Sequence, residues 1–184
     1  ADAMLRHYGL SDVQVVESHG LLSDHYNPLT KTVALSQDVF YGRHVAAAAV
    51  AAHECGHAVQ HATAYSMLQL RSRLVPVVQF SAMAQQWLLL IAFMTLNTMP
   101  QVMLLTIIAF AITTLFSFIT LPVEFDASRR ALAWLDKSGV TRGSEYAGAK
   151  DALKWAALTY VSAALSALVM LLFLIFRYMG ANEE

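Results

Sequence analysis

The chain reads as a mainly α integral membrane protein. Three transmembrane helices accompany a small antiparallel β-hairpin, which lies beside one helix carrying the pattern His-Glu-x-x-His. Three observations predict this class. No charged residue occurs from Leu74 to Val123, a run of fifty. A second uncharged run extends from Trp155 to Phe176. The chain is also 57% hydrophobic and only 14% charged, against about 45–50% and about 25% in ordinary soluble domains. Its mean hydropathy is +0.49. A length of 184 residues allows one domain, and so short a chain could not bury three such stretches in a soluble core. The single domain, 1–184, divides into a soluble part at 1–73, a membrane hairpin at 80–98 and 102–121, a helical segment at 122–154 and a third span at 155–177.

The elements follow in order. Ala1–Tyr8 suits a short helix stopped by Gly9. Val13-Gln14-Val15-Val16 alternates like a strand, and Lys31-Thr32-Val33-Ala34-Leu35 reads as its partner. Ser18-His19-Gly20 and Ser23-Asp24-His25-Tyr26-Asn27-Pro28 between them are turn chemistry. Thr32–Leu35 is the expected edge strand, open to pairing with an extended peptide. The same small sheet could equally serve only to cap the hydrophobic helices. Val45–Ala52 is an alanine-rich run, and alanine has the best helix propensity, so the helix continues through His53-Glu54-Cys55-Gly56-His57.

Asn97-Thr98-Met99-Pro100-Gln101 splits the fifty-residue run with polar residues and a helix breaker. Each side has about the twenty residues that a bilayer requires. Gln85 and Gln86 in the first span must face protein or a wet cavity rather than lipid. The small residues of Ser162-Ala163-Ala164-Leu165-Ser166-Ala167 suit packing against other helices. Lysine and arginine are unevenly placed. The 97–101 linker has none, whereas Arg71 and Arg73 precede the first span and Arg129, Arg130, Lys137, Arg142, Lys150 and Lys154 join the second to the third. The positive-inside rule then puts 1–73 and 122–155 on the cytoplasmic side, with Arg177 the one dissent. A net charge of −1 gives no electrostatic case for nucleic acid.

His53 and His57 are four apart, so on a helix they share a face and can reach one metal ion, with Glu54 beside them as general base for an activated water. One zinc ion is the expected cofactor. Cys55, the single cysteine, points away from that face as a small buried residue and forms no intrachain disulfide. A catalytic zinc takes three protein ligands, and all seven histidines lie in 1–61, so a ligand from beyond them is a carboxylate. Leu121-Pro122-Val123-Glu124-Phe125-Asp126 offers two. Pro122 suits the first turn of a new helix and favours Glu124. Asp126 points nearly opposite, toward the solvated basic face, and is the runner-up. His61 lies about 6 Å further along the helix than His57, better placed to pack near the site or hydrogen-bond a ligand. Asp24, His25 and Tyr26 could add polar groups to the cleft. Arg129, Arg130, Tyr26 and His25 are all open as the group that steadies an oxyanion.

Three segments now carry a resemblance. They are Leu22–Pro28, Val50–Ala62 with its His53-Glu54-Cys55-Gly56-His57, and Leu121–Ser128. Together they resemble the bacterial neutral zinc metallopeptidases, membrane proteases similar in turn to the gluzincin membrane proteases. Those include the prenyl-protein endopeptidase and the heat-shock protease of bacterial inner membranes. The likeness runs from about Ala3 to Tyr178. It implies a gluzincin zinc site of His53, His57 and Glu124 with Glu54 as base. It also implies a bacterial inner-membrane enzyme that cleaves peptides or membrane proteins. Family members usually have an extra N-terminal membrane helix, so the start here looks truncated. Wider gluzincins often place Asp four residues after the ligand Glu; here that residue is Ser128, on the same face and able to hydrogen-bond a ligand. Two other classes compete: a zinc-stapled membrane scaffold without activity, and a haem or iron protein, which would have no use for Glu54. Oligomeric state is not written in the sequence.

Overall fold

A computed structural model describes residues 1–20, 23–95 and 98–181. Leu22, which opens one of the three segments, and Asn97 of the linker fall outside the described residues. The chain forms two compact units, Ala1–Gln69 with Pro122–Leu158, and Leu70–Leu121 with Thr159 onward.

In the first unit, α1 (Asp2–His7) ends as its sequence suggests, with Gly9 in the left-handed region at φ +71. The strands β1 (Gln14–Ser18), β2 (His25–Asn27) and β3 (Thr32–Ser36) form one sheet in the order β1-β3-β2. This corrects the two-stranded antiparallel hairpin. β1 runs parallel to β3, pairing Val15 with Val33, and only β2 is antiparallel to it, pairing Tyr26 with Val33. The stretch between β1 and β3 is long enough for the crossover that parallel pairing requires. Asn27 makes the return turn, its Oδ1 accepting from the Leu29 N–H at 3.0 Å. β3 is therefore the central strand, not the edge, and Val33, Ala34 and Leu35 are all buried. The free edges belong to β1 and β2.

A one-turn helix, α2 (Gln37–Phe40), leads to α3 (Val45–Ala62). His44 caps α3, its Nδ1 accepting from the Ala47 N–H at 3.1 Å. Ala47, Ala49, Ala51 and Ala52 are buried along α3. Such small side chains let the sheet and other helices come close to its backbone. Met4, Leu5, Val33, Leu35 and Val59 join Ala131, Trp134, Leu135 and Leu153 in one core.

Three long helices follow: α4 (Ser66–Met94), α5 (Pro100–Ser138) and α6 (Ser144–Ala181). Each is long and apolar enough to cross a membrane, and only 11%, 22% and 11% of their most apolar stretches are buried by the chain itself. Pro100, not Pro122, occupies a helix start. Pro122 falls inside α5, where it has no N–H to give to the carbonyl four residues earlier; helical sequence on both sides carries the helix through. In the second unit Gln85 faces protein as expected, donating to the Ala109 carbonyl at 3.1 Å and the Thr113 hydroxyl at 2.6 Å. Gln86 is exposed. Within the small-residue run, Ala164 is fully buried, and the Thr114 hydroxyl donates to the Ala167 carbonyl at 3.3 Å.

One contact inside the first unit sets the rest. A Cβ on Gly56 of α3 would lie 2.6 Å from the Ala127 carbonyl oxygen of α5, closer than atoms can pack. Replacing a helical glycine by alanine normally stabilises by about 1 kcal/mol. Gly56→Ala is expected to do the reverse, destabilising by about 1–3 kcal/mol through overpacking. Thermal unfolding in detergent checks the sign: a higher Tm for the variant would mean that α3 and α5 do not touch here.

Candidate metal centre

His53 and His57 project from one face of α3, and their rings meet edge to face with centroids 4.8 Å apart. Glu124, two residues after Pro122 in α5, is 2% exposed. Its Oε2 lies 3.2 Å from His53 Nε2 and 3.5 Å from His57 Nε2. Each of the three residues offers one ligand atom, and all three atoms lie within 4.8 Å of one another. This is the only such group among the described residues. Two imidazoles and one carboxylate are a donor set of catalytic zinc sites.

The far side of each imidazole supplies a test of fit. His57 Nδ1 is 3.0 Å from Gln60 Oε1, and the Gln60 amide nitrogen donates to the Val123 carbonyl at 2.8 Å and to Asp126 Oδ2 at 2.9 Å. Both amide donors are thus used, so Gln60 Oε1 can only accept, and the proton is on His57 Nδ1. Nε2 is then the nitrogen left to face Glu124 and His53: it donates to the carboxylate while the ring is protonated, and it is the nitrogen whose lone pair a metal would take. His53 Nδ1 pairs with the Ser128 hydroxyl at 3.0 Å, which is the bond expected of Ser128. The residues fit the ion.

Electrostatics agree. Burial pushes the Glu124 carboxyl up, but hydrogen bonds to both imidazoles outweigh it and hold the group well below the ordinary carboxylate range. Burial opposes charge on His57, yet the Glu124 bond and charge raise its proton affinity overall. A proton held between carboxylate and imidazole occupies the place a metal cation would take, so the two compete for it. Glu54 is itself buried, and that burial raises its pKa, partly countered by the charge of His57 and His53.

Other candidates have other partners. His61 is exposed, and its Nδ1 meets the Tyr26 hydroxyl at 2.9 Å, tying β2 to the end of α3. Asp126 does not point to a solvated face; it is 5% exposed. There it accepts from Gln60, from Arg130 at 2.6 Å and from Arg129. Burial raises its pKa, but these donors outweigh it and the shift is downward. Arg129 and Arg130 are thereby committed to Asp126. Asp24 accepts from the Ser36 backbone at 2.8 Å and from its hydroxyl, while His25 Nδ1 turns to the Ser23 carbonyl. Gln60 escaped the sequence reading, although its spacing of three from His57 on one helix face was a usable signal.

Imidazoles one turn apart and a carboxylate from a second helix could hold a metal ion, in a chain with three helices long and apolar enough to cross a membrane. A profile of the family described as "Putative neutral zinc metallopeptidase" matches residues 1–179, and the chain belongs to that family. Among curated proteins it is similar to "Putative membrane protease YugP" of Bacillus subtilis (strain 168), with 42% identity over 176 residues, 96% of this chain and 77% of that relative. No solved structure matches.

Cys55, between the two histidines in sequence, is fully buried on the opposite face, and burial pushes its thiol up to about 12. Since the thiolate is the reactive form, maleimide or iodoacetamide is expected to label it at least about a hundredfold more slowly than a free thiol. Labelling at the rate of the denatured chain would show that this helix face is open.

Proposed function

We propose that the chain is a zinc-dependent membrane endopeptidase of the gluzincin type, with one zinc ion on His53, His57 and Glu124 and Glu54 as general base. The observation that carries this reading is the meeting of two Nε2 atoms and one carboxylate oxygen, with each Nδ1 already engaged. Family membership and the membrane-protease relative support it. Zinc, when bound, supplies a Lewis acid for the scissile carbonyl and lowers the pKa of its water to about 7. Glu54 accepts the water's proton and passes it to the leaving amine. Its burial lifts the carboxyl's proton affinity toward the range that such a base uses. Gln60 and Ser128 hold the two imidazoles in register, and Asp126 fixes which way Gln60 points.

An extended peptide is the substrate that suits the site. β2 has a free sheet edge and is bonded to α3 through Tyr26 and His61, so a strand added to β2 runs beside the metal helix. Tyr26 and His25 stay the candidates for steadying an oxyanion, because Arg129 and Arg130 are engaged by Asp126. The lysine and arginine distribution supports a cytoplasmic site in a bacterial inner membrane, and membrane-protein loops or tails as substrates.

Two experiments test this function. Glu54→Gln is expected to keep stoichiometric zinc and to lose peptide hydrolysis by at least about a thousandfold, judged on an unfolded protein substrate. Turnover equal to the parent would remove Glu54 from the reaction, and absence of cleavage by the parent chain itself would leave a zinc-stapled scaffold. Glu124→Ala is expected to lower zinc affinity by more than about a hundredfold, beyond the about 10–100-fold typical of a support such as Asp126→Ala. Metal analysis with the order reversed would make Asp126 the ligand.

A further inference from the structure

Beside the core, whose Leu153 forms part of its lining, a groove of about 510 Å³ opens between α5 and α6. Its α5 wall holds residues 125, 129, 132 and 133, and its α6 wall holds 146, 150, 153, 154, 157 and 158. Both sets recur at helical spacing, so each helix turns one continuous face to the groove. The size falls in the range of sites for small molecules. Two kinds of surface make up its lining. Phe125, Leu132 and Leu153 form an apolar floor, while Arg129, Lys150 and Lys154 are its cations. Among the described residues no acidic side chain lines it; Glu145 and Asp151 of the same segment do not. Lys150 and Lys154 are exposed, and among the described residues neither enters an ion pair.

An occupant must match both surfaces, with a long apolar body and a compact anionic end. Lys154 is followed at once by the uncharged run Trp155–Phe176, so the cations stand where α6 passes from charged to wholly apolar sequence. Ser128 also lines the groove, but its hydroxyl meets His53 at Nδ1. That nitrogen is on the opposite side of the ring from the atom facing His57 and Glu124. The groove therefore backs onto the outer side of the site and does not open on the ligand atoms. This favours a lipid over a peptide in transit to the metal. We infer that the groove binds an anionic phospholipid, with its phosphate on Lys150 and Lys154 and an acyl chain along Phe125, Leu132 and Leu153. The lipid meets the metal site only at its outer supports, Ser128 and the Arg129 that is bonded to Asp126, and its binding stands apart from whether the chain cleaves peptides.

The test uses the full chain in detergent, offered equal amounts of dioleoyl-phosphatidylglycerol and dioleoyl-phosphatidylcholine, with retained lipid counted by native mass spectrometry. Phosphatidylglycerol is expected to be retained about tenfold over phosphatidylcholine, as a pair of lysines near an anionic headgroup would give. Lys150→Glu with Lys154→Glu should bring the two lipids to parity. Lys137→Glu, an equal charge change on α5 outside the groove, should leave the preference intact. Ala133→Phe keeps every charge but fills the groove, and is expected to release the lipid. Excess inorganic phosphate should not displace it. All four positions are exposed, and unchanged unfolding temperatures verify that the variants fold. Equal retention of the two lipids by the parent chain overturns the proposal. So does an equal loss in Lys137→Glu, which would mean a diffuse basic surface. Full retention in Ala133→Phe, displacement by phosphate, or capture of an acidic apolar peptide in place of lipid would overturn it as well.

Discussion

At Gly56 nothing larger than a hydrogen atom separates the α3 backbone from the Ala127 carbonyl of α5. That close approach is what the site depends on. Glu124 is one turn before Ala127 on α5, and His53 and His57 flank Gly56 on α3. The contact fixes the distance at which carboxylate and imidazoles face each other. Glycine inside a helix costs about 1 kcal/mol relative to alanine, and the return is that a carboxylate from elsewhere in the sequence comes within 3.5 Å of two imidazoles from one helix. Alanines at 47, 49, 51 and 52 extend the same principle along α3.

Proximity alone would bury an uncompensated charge, which is expensive. Here each polar group has a partner of the right kind. Glu124 faces two imidazoles, Asp126 faces two guanidiniums and an amide, and Gln60 links the two systems. The chain from Arg130 through Asp126 and Gln60 to His57 is directional, because a carboxylate only accepts and so leaves the amide one orientation. Tautomer and ring angle of His57 are thus set from more than one residue away, before any ion arrives.

Much of this was legible in the sequence, for stated reasons. Alanine runs and a fifty-residue uncharged stretch leave few options but helices, and i, i+4 histidines advertise a shared face whatever surrounds them. Glu124 was singled out because every histidine lies in 1–61 and Pro122 comes just before it, Ser128 entered only through the family resemblance, and the inward turn of Gln85 followed from the cost of an amide in lipid. The sheet did not, because strand order depends on pairing between residues far apart, and His25–Asn27 looks like turn chemistry until β3 gives it a partner. Pro122 misled because helix-breaking is a local tendency that continuous helical sequence on both sides can override. Asp126 was read from its angle on an isolated helix as solvated; the amide and guanidiniums that bury it lie on α3 and on the next turn of α5. Gln60 was overlooked since an amide near a helix end is ordinarily a surface residue.

The Gln85 bonds to the Ala109 carbonyl and Thr113 hydroxyl have a consequence for how the first two apolar stretches are paired. An amide in hydrocarbon has no water to bond, and these two acceptors take the water's place. Apolar side chains alone would let one helix slide or turn against the other at little cost, whereas a polar bond at a single depth fixes both the height and the rotation at which they meet.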